Sequence, residues 1–373
     1  MLKKYRLDLS ILIPLILFFC ISIISIASAE KILTTSDNYT IKQIFWYIVG
    51  FASIFLILFI GKKQLMKSVW VLYIINNIFL ALLLVFGTPI NNSKCWFQIP
   101  GIGGIQPSEF MKIILILTLA KMIDNFRKKY NNPTIKEEFI FLLKVFLIVL
   151  IPSILTFLEP DTGVVFIYLI ITFTMLFVAG IRYRWFVIFL SILLIGVGSV
   201  LITYFVFPEI FIKIFGTSFF LRVDRLLDWS NKSGFQLENG LSAIGSGGLM
   251  GNGLFNTPIY FPEPQTDFIF AVYASNTGYI GTLFLLILLI YFSVRLIFLA
   301  ISCSQNINKY IIAGILGMLI YQQFQNIGMT LGIMPITGIT LPFISYGGSS
   351  LLSYMLMIGI IFAISNEEKN SRN

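Results

Sequence analysis

Residues 260–295 read YFPEPQTDFIFAVYASNTGYIGTLFLLILLIYFSVR, a polar, proline-containing loop that runs directly into a long apolar segment. The apolar part begins at Phe268 and carries no charged residue before Arg295. It is long enough to cross a bilayer, since about 20 apolar residues suffice for a spanning helix. Asp267 stands at the junction. A carboxylate there would lie at a membrane surface, at the opening of any cavity between the helices. Asp267 is therefore the strongest single candidate for a catalytic residue.

The rest of the chain shares this apolar character. It has 373 residues, of which 57% are hydrophobic and 12% charged, and its mean hydropathy is +0.91. A soluble domain of this size cannot hide so much apolar surface. Spans in lipid are helices or closed barrels, and continuous rather than alternating apolar runs favour helices. We therefore predict an all-α polytopic membrane protein, residues 1–373, in one integral membrane domain.

Ten transmembrane helices are predicted from the apolar runs. They cover residues 9–28, 42–60, 68–87, 107–123, 139–157, 163–181, 185–206, 268–295, 308–330 and 346–365. The termini and the loops after the second, fourth, sixth and eighth helices hold most of the 26 Lys and Arg residues. The positive-inside rule therefore places both termini in the cytoplasm. The large loop 207–267 and the short loop 88–106 are then extracytoplasmic.

Several classes of function are excluded by the composition. The chain has no histidine, which removes a His general base, a Ser-His-Asp triad and His-ligated zinc. The glycine-rich loop, residues 245–253, lacks the Lys-Ser/Thr of an ATP-binding loop. The net charge of +9 mostly reflects the loop bias, so we expect no nucleic-acid partner. Acid–base or metal chemistry must come from carboxylates, lysine, tyrosine or water, without an organic cofactor.

Polar residues at the edges of the fourth and sixth helices are candidates for a site. The string from Gln106 to Glu109 is typical of a helix start. Glu109 and Lys112 are spaced to pair on one face, either as a structural ion pair or as a polar wall of a cavity, and both can hold. In the tight turn before the sixth helix, Asp161 is suited to cap that helix, whereas Glu159 has no such local role.

The large loop offers two further features. Arg222 and Arg225 lie one helical turn apart, and arginine forks suit phosphate or carboxylate; neighbouring aspartates could instead pair with them locally. Asp267 could simply cap the eighth helix, which does not preclude catalysis.

The last loop is equally dense in polar and turn-forming residues, among them Gln325, Ser345 and Tyr346. Irregular backbone at membrane depth is tolerated only where it is buried in protein or lines a cavity. We therefore expect this loop and the loop that ends at Asp267 to share an extracytoplasmic cavity.

Five strings, taken in order along the chain, resemble one family. They are QPSEF at 106–110, EPDTG at 159–163, AIGSGGLMGNG at 243–253, TDFIFA at 266–271 and PITGITLPFISYGGS at 335–349. The chain is identified as a member of the shape, elongation, division and sporulation (SEDS) family, which includes RodA, FtsW and SpoVE. The likeness covers nearly the whole chain, and the short tails resemble RodA-like members more than FtsW-like ones.

The resemblance implies a peptidoglycan glycosyltransferase in the cytoplasmic membrane with an extracytoplasmic active site, acting in cell elongation or division. Such an enzyme joins the disaccharide-pentapeptide units of lipid II into nascent glycan and releases undecaprenyl pyrophosphate. The implied partners are a class B penicillin-binding protein, which crosslinks the stems, and other elongation or division machinery. The essential loop aspartate of the family falls on Asp267.

Asp267 is the candidate general base, because inverting transfer needs a proton acceptor for the acceptor hydroxyl and the chain has no histidine. The pKa of an unpaired carboxyl in such a groove would rise. Asp267 could instead hold a divalent cation, Mg or Mn, at the diphosphate. Lys112, Arg222 and Arg225 are candidates to bind the diphosphate. The remaining candidate substrate-binding residues are Gln106, Glu109, Glu159, Gln325, Ser345 and Tyr346.

The chain departs from the family pattern at two points. Gln265 stands where His is frequent, and Ser275 and Asn276 stand where acidic residues are usual. Two other functions therefore stay open: a lipid II flippase, since intramembrane charges and broken helices are typical of transporters, and a weakly active scaffold that activates a penicillin-binding protein. The clustering of polar residues towards the outer side, except Lys144, favours surface chemistry over transport.

Overall fold

The computed structural model describes residues 7–33, 38–90, 93–99, 103–217, 220 and 234–372. In this part of the chain, a long helix lies at each of the ten predicted positions, and two shorter helices lie in the large loop. In chain order the helices are α1 Leu9–Ile32, α2 Tyr39–Ile60, α3 Lys62–Phe86, α4 Pro107–Lys129, α5 Ile135–Leu158, α6 Thr162–Val178, α7 Tyr183–Val206, α8 Pro208–Phe215, α9 Phe235–Ser246, α10 Ile269–Ser302, α11 Asn306–Thr330 and α12 Gly348–Arg372.

Seven of these helices are long and apolar enough to cross a membrane: α1, α2, α3, α5, α7, α10 and α12. α6 is apolar but has only 17 residues. α4 and α11 are more polar. α4 buries Glu109 and Lys112. α11 buries Gln322, Gln325 and Asn326. Neighbouring helices shield these side chains from lipid, so the two helices need not be apolar along their whole length. The chain is a multi-pass membrane protein.

The core lies around α4 and α11, which the other helices enclose. α12 packs along α2, α11 packs against α6 and α10, and α4 packs against α3. Small residues permit the close approach of α2 and α12: a Cβ on Gly50 would lie 2.6 Å from Met355 Cγ. α7 differs, since Tyr204 is its one buried residue. The described helices therefore leave most of α7 uncovered.

The prediction of an all-α fold is wrong in the short loop 88–106, which contains a small antiparallel sheet. Its strands are β1 Thr88–Ile90, β2 Ser93–Ile99 and β3 Gly103–Ile105, paired in the order β1-β2-β3. Trp96 and Phe97 in β2 are residue types that favour strands. Gly104 makes room for the indole, because a Cβ there would lie 2.9 Å from Trp96 Cδ1. The sheet ends at Ile105, next to the N-cap residue of α4, and therefore determines where the first turn of α4 lies.

α10 is broken near its start. Gly278 has φ +64°, outside the helical region, and the glycine-rich loop packs into the break. The backbone N–H of Asn252 donates to Ser275 O at 2.9 Å, and that of Tyr279 donates to Gly248 O at 2.9 Å. These bonds take the place of those that the helix loses at the break. The loop thereby fixes the first part of α10, which follows Asp267 directly.

Two glycines of this loop allow a matched test of the packing. Gly251 and Gly253 both have positive φ, but a Cβ on Gly251 would lie 2.1 Å from Asn276 O, whereas one on Gly253 would meet open space. Alanine at either position costs about 1–2 kcal/mol for the left-handed backbone, and at Gly251 it also forces the loop away from α10. We expect Gly251→Ala to lower the melting temperature of the purified protein clearly more than Gly253→Ala. Equal shifts would contradict this packing.

Candidate active site

An open cavity of about 480 Å³ lies at the end of the bundle where α4, α6 and α12 begin, hereafter the cavity end. Its walls come from the sheet, the first turn of α4, the α5–α6 turn, the segment before α10 and the loop before α12. Four carboxylic acids face it: Glu109, Asp161, Glu263 and Asp267. Among the described residues, no Lys or Arg lines it. The cavity is therefore strongly anionic.

Asp267 presents its carboxylate to this cavity. Phe268 occupies the N-cap position of α10, and no side chain caps that helix, so the capping interpretation of Asp267 is wrong. Within the described residues the carboxylate accepts no hydrogen bond. Its backbone carbonyl accepts a hydrogen bond of 2.9 Å from Asn326 Nδ2, which also donates to Ile339 O at 2.8 Å. The residue is thus fixed through its main chain while its side chain stays free for a ligand.

The surroundings of Asp267 weaken its acidity. Burial, together with the negative charges of Glu263 and Asp161, raises the pKa of Asp267 from 3.8 to about 7. Both causes disfavour the charged form. A carboxyl that titrates near neutral pH is matched to proton transfer under physiological conditions.

Asp161 also lines the cavity and is held by two hydrogen bonds. It caps α6 as predicted, because its Oδ1 accepts from the N–H of Val164 at 3.2 Å. Its Oδ2 accepts from Gln106 Nε2 at 2.7 Å. Burial is the largest influence on Asp161 and raises its pKa to about 6. Gln106 thus contributes to the site by orienting Asp161.

Glu109 and Lys112 form an ion pair of 2.6 Å between Oε2 and Nζ. Glu109 lines the cavity, whereas the Lys112 side chain is fully buried and does not line it. The ammonium lies 5.1 Å from the centre of the Tyr354 ring, on the side of α12. Glu109 therefore belongs both to a structural ion pair and to the polar wall of the cavity. Lys112 lies behind the wall and has no contact with the cavity.

Glu159 lies behind the α5–α6 turn. It is fully buried, and within the described residues neither carboxylate oxygen has a hydrogen-bond partner. Burial, with the charge of Asp161, raises the pKa of Glu159 to about 8. The side chain does not line the cavity. It is held in a neutral state at neutral pH, which avoids burying another charge beside Asp161.

Two side chains that the sequence singled out hold the loop before α12, and one of them ties it to the Asp267 segment. Gln325 Nε2 donates to Pro335 O at 2.8 Å, and Ser345 Oγ donates to Thr266 O at 2.7 Å. Both side chains are buried and hold the backbone. Tyr346 lines the cavity, and its N–H donates to Gln265 O at 2.8 Å. The two loops expected to share a cavity therefore do so.

Arg222 and Arg225, and the aspartates proposed to pair with them, lie outside the described residues. The positions where acids are usual in the family pattern are described and form a neutral network. Asn276 Nδ2 donates to Ser28 Oγ, and Asn276 Oδ1 accepts from Thr257 Oγ1 at 3.0 Å. This network secures the break in α10 and does not line the cavity.

Sequence reasoning noted Asn326 only as a polar neighbour of Gln325 in the last part of the chain, and it missed Gln43 and Trp46. Asn326 positions the main chain of Asp267, and Gln43 Nε2 donates to Ser345 O at 3.2 Å. Trp46 lines the cavity, and Gly348 gives it room, since a Cβ there would lie 2.2 Å from Trp46 Cε2. The available signal for Asn326 and Gln43 was a buried amide inside an apolar helix, which is costly unless it bonds.

Comparison with known proteins agrees with the five motifs. Residues 4–370 match the cell cycle protein family FtsW/RodA/SpoVE. The chain is 32% identical to the probable peptidoglycan glycosyltransferase FtsW of Coxiella burnetii over 98% of both chains. It is 33% identical to stage V sporulation protein E of Bacillus subtilis, over 97% of this chain and 98% of that one.

Solved structures give the same result. A chain from a peptidoglycan synthase complex that coordinates polymerization and crosslinking aligns with a TM-score of 0.79 and 27% identity, over 97% of this chain and 98% of that one. The rod shape determining protein RodA of Thermus thermophilus aligns with a TM-score of 0.70 and 26% identity, over 98% of both. With a match that extends over residues 4–370, the chain belongs to the FtsW/RodA/SpoVE family, the SEDS family that its motifs indicated.

Proposed function

We propose that this protein polymerises lipid II into glycan strands on the outer face of the cytoplasmic membrane and releases undecaprenyl pyrophosphate. The observation that carries the proposal is the free carboxylate of Asp267, held by its main chain in an anionic cavity where its pKa is about 7. Relatives named as peptidoglycan glycosyltransferases support the reaction class.

The orientation in the membrane is part of the same proposal. The end of the bundle opposite the cavity carries the basic segments Arg127–Lys129 and Arg182–Arg184, which the positive-inside rule assigns to the cytoplasm. The cavity end is then extracytoplasmic, and ten helices span the membrane. In this arrangement α4, α6 and α11 also span the membrane, although they are not among the seven long apolar helices.

In the proposed reaction, Asp267 takes the proton of the acceptor sugar hydroxyl as its oxygen attacks the anomeric carbon of the donor. The bond between that carbon and the diphosphate oxygen breaks, and the diphosphate leaves with the electron pair. Asn326 keeps Asp267 in place through the carbonyl, so proton transfer does not disturb the anchor. General base catalysis of this kind contributes typically 10²–10⁴-fold.

A diphosphate in this cavity needs positive charge that the described lining does not supply. Within the described residues no three Cys, Asp or Glu side chains converge to form a metal cage. Mg²⁺ is commonly bound by one or two carboxylates together with substrate phosphates, and Asp267 could provide one such ligand. A bound Mg²⁺ or Mn²⁺ would neutralise charge on the leaving group. Arg222 and Arg225 are the alternative source of positive charge.

The proposed partner is a class B penicillin-binding protein, which crosslinks the stem peptides of the new strand. The support is the alignment with a chain of a synthase complex that coordinates polymerization and crosslinking. Activity is therefore best measured with the cognate partner present and absent.

Asp267→Asn should reduce lipid II polymerisation by about 10²–10⁴-fold, the usual contribution of a general base. Folding should be retained, because the carboxylate accepts no hydrogen bond among the described residues. The measurement is glycan chain formation from fluorescent lipid II by purified protein, with and without the partner. Asp124→Asn, which removes a carboxylate near the far end of α4, is the matched control. Normal polymerisation by a folded Asp267→Asn variant would contradict the assignment, and lipid II translocation without glycan chains would favour a flippase.

The rate of polymerisation should rise with pH and level off above about 7, because Asp267 accepts a proton only when it is deprotonated. Glu263→Gln removes a negative charge that raises the pKa of Asp267, so the midpoint of the profile should move to lower pH. Glu238→Gln, an exposed carboxylate in α9, should leave the midpoint unchanged. A midpoint that stays in place or rises in Glu263→Gln would show that another group controls the profile.

Chelation of divalent cations should stop polymerisation if a cation supplies the missing positive charge, and Mg²⁺ or Mn²⁺ should restore it. The reason is that the carboxylates of the cavity that remain ionised would otherwise repel the diphosphate. Full activity in excess chelator would exclude the cation and leave the general-base role of Asp267 intact.

A further inference from the structure

An apolar region lies at the end of the bundle opposite the cavity. There α5, α6 and α7 diverge and leave a cleft of about 300 Å³. Its lining residues span 139–149 of α5, 169–176 of α6 and 185–192 of α7. On each helix these residues belong to the half nearest the basic segments. Thr172 is the one polar side chain apart from the indole of Trp185, so the cleft is a hydrocarbon surface.

Hydrocarbon is what fills such a cleft in a membrane. α7 is apolar enough to span, yet none of its most apolar window is buried by protein. Water does not fill an apolar cavity of this kind. The volume of about 300 Å³ is roughly twice the ~150 Å³ apolar cavity that accommodates benzene. A segment of one acyl chain fits, whereas a partner helix with a diameter of about 10 Å does not.

The mouth of the cleft carries an unusual group of charges. Glu138 is almost fully buried, with Arg182 Nε at 3.8 Å and Arg184 Nη2 at 3.9 Å from its oxygens. Trp185 Nε1 donates to the same carboxylate at 2.9 Å, and its ring stacks on Phe139 inside the cleft. Two arginines against one glutamate leave one positive charge uncompensated. The arginine side chains are 42% and 37% exposed. Arg182 Nη2 donates to Pro133 O at 2.7 Å, and Arg184 Nε and Nη2 are buried, so the Nη1 nitrogen of each arginine is the one left to bind an anion.

We propose that this cleft binds an anionic phospholipid of the cytoplasmic leaflet, with one acyl chain between α5, α6 and α7 and the phosphate at Arg182 and Arg184. A phosphate oxygen can accept from one guanidinium nitrogen of each arginine, and the single uncompensated charge matches one phosphodiester. A zwitterionic lipid carries its own ammonium group, so its headgroup has no net charge and gains less binding free energy at the two arginines. Trp185 lies between headgroup and chain, as tryptophan does at membrane interfaces. The site is separate from the Asp267 cavity, and the lipid would hold α7 against α5 and α6.

Trp185 reports directly on the occupant, because bromine on an acyl chain quenches tryptophan fluorescence on contact. The full-length protein is reconstituted into phosphatidylcholine vesicles that contain either brominated phosphatidylglycerol or brominated phosphatidylcholine. Trp185→Phe supplies the signal of the other tryptophans for subtraction. We expect phosphatidylglycerol to be preferred about fivefold, the equivalent of the ~1 kcal/mol that one basic residue gains beside anionic lipid.

Charge variants test where the preference comes from. The double variant Arg182→Gln/Arg184→Gln should abolish it, while Lys128→Gln/Lys129→Gln, an equal charge change on the neighbouring turn, should preserve it. Because the first variant leaves Glu138 buried without its partners and could disturb folding, Glu138→Gln provides an independent test and should strengthen the preference. Equal quenching of the wild type by both lipids, quenching by neither, or a preference unchanged in Glu138→Gln would overturn the proposal.

Discussion

The structure depends on how the carboxylates at the cavity end are neutralised within an apolar bundle. Among the described residues, the one cation that contacts this group is Lys112, and it is taken up by Glu109 at 2.6 Å. Asp161 is left to neutral donors, and Asp267 is left without a donor for its carboxylate. In a medium of low dielectric constant, carboxylates that lack a cation hold their protons to higher pH. The raised pKa of Asp267 is therefore a property of the whole cavity.

This charge arrangement explains why the bundle has a polar centre. α4 and α11 carry the acids and amides that shape the cavity, and they can do so because α2, α3, α6, α10 and α12 separate them from lipid. The amide of Asn326 spans the distance between the Asp267 segment and the last loop by donating to both. At the break in α10, the glycine-rich loop likewise supplies the backbone hydrogen-bond partners that the broken turn lost.

The sequence predicted those features that depend on local length and pattern. The ten helix positions follow from apolar runs, and the cap at Asp161 follows from its place before α6. The small sheet could not be predicted, because β1 and β3 have three residues each and are stabilised by their pairing with β2. The position of Lys112 behind the wall depends on Tyr354, which is remote in sequence. Burial of Glu159 depends likewise on packing that no local pattern encodes.

The proposed role of Asp267 requires that its carboxyl titrate near neutral pH in the resting protein, and infrared difference spectroscopy can measure this titration. The protonated carboxyl C=O band that is lost in Asp267→Asn can be followed as a function of pH in reconstituted wild-type protein. We expect a midpoint at about 7, well above the ordinary 3.8 of an aspartate. A midpoint close to that ordinary value would contradict the proposed role, because Asp267 would then be a charged group rather than a base poised for proton transfer.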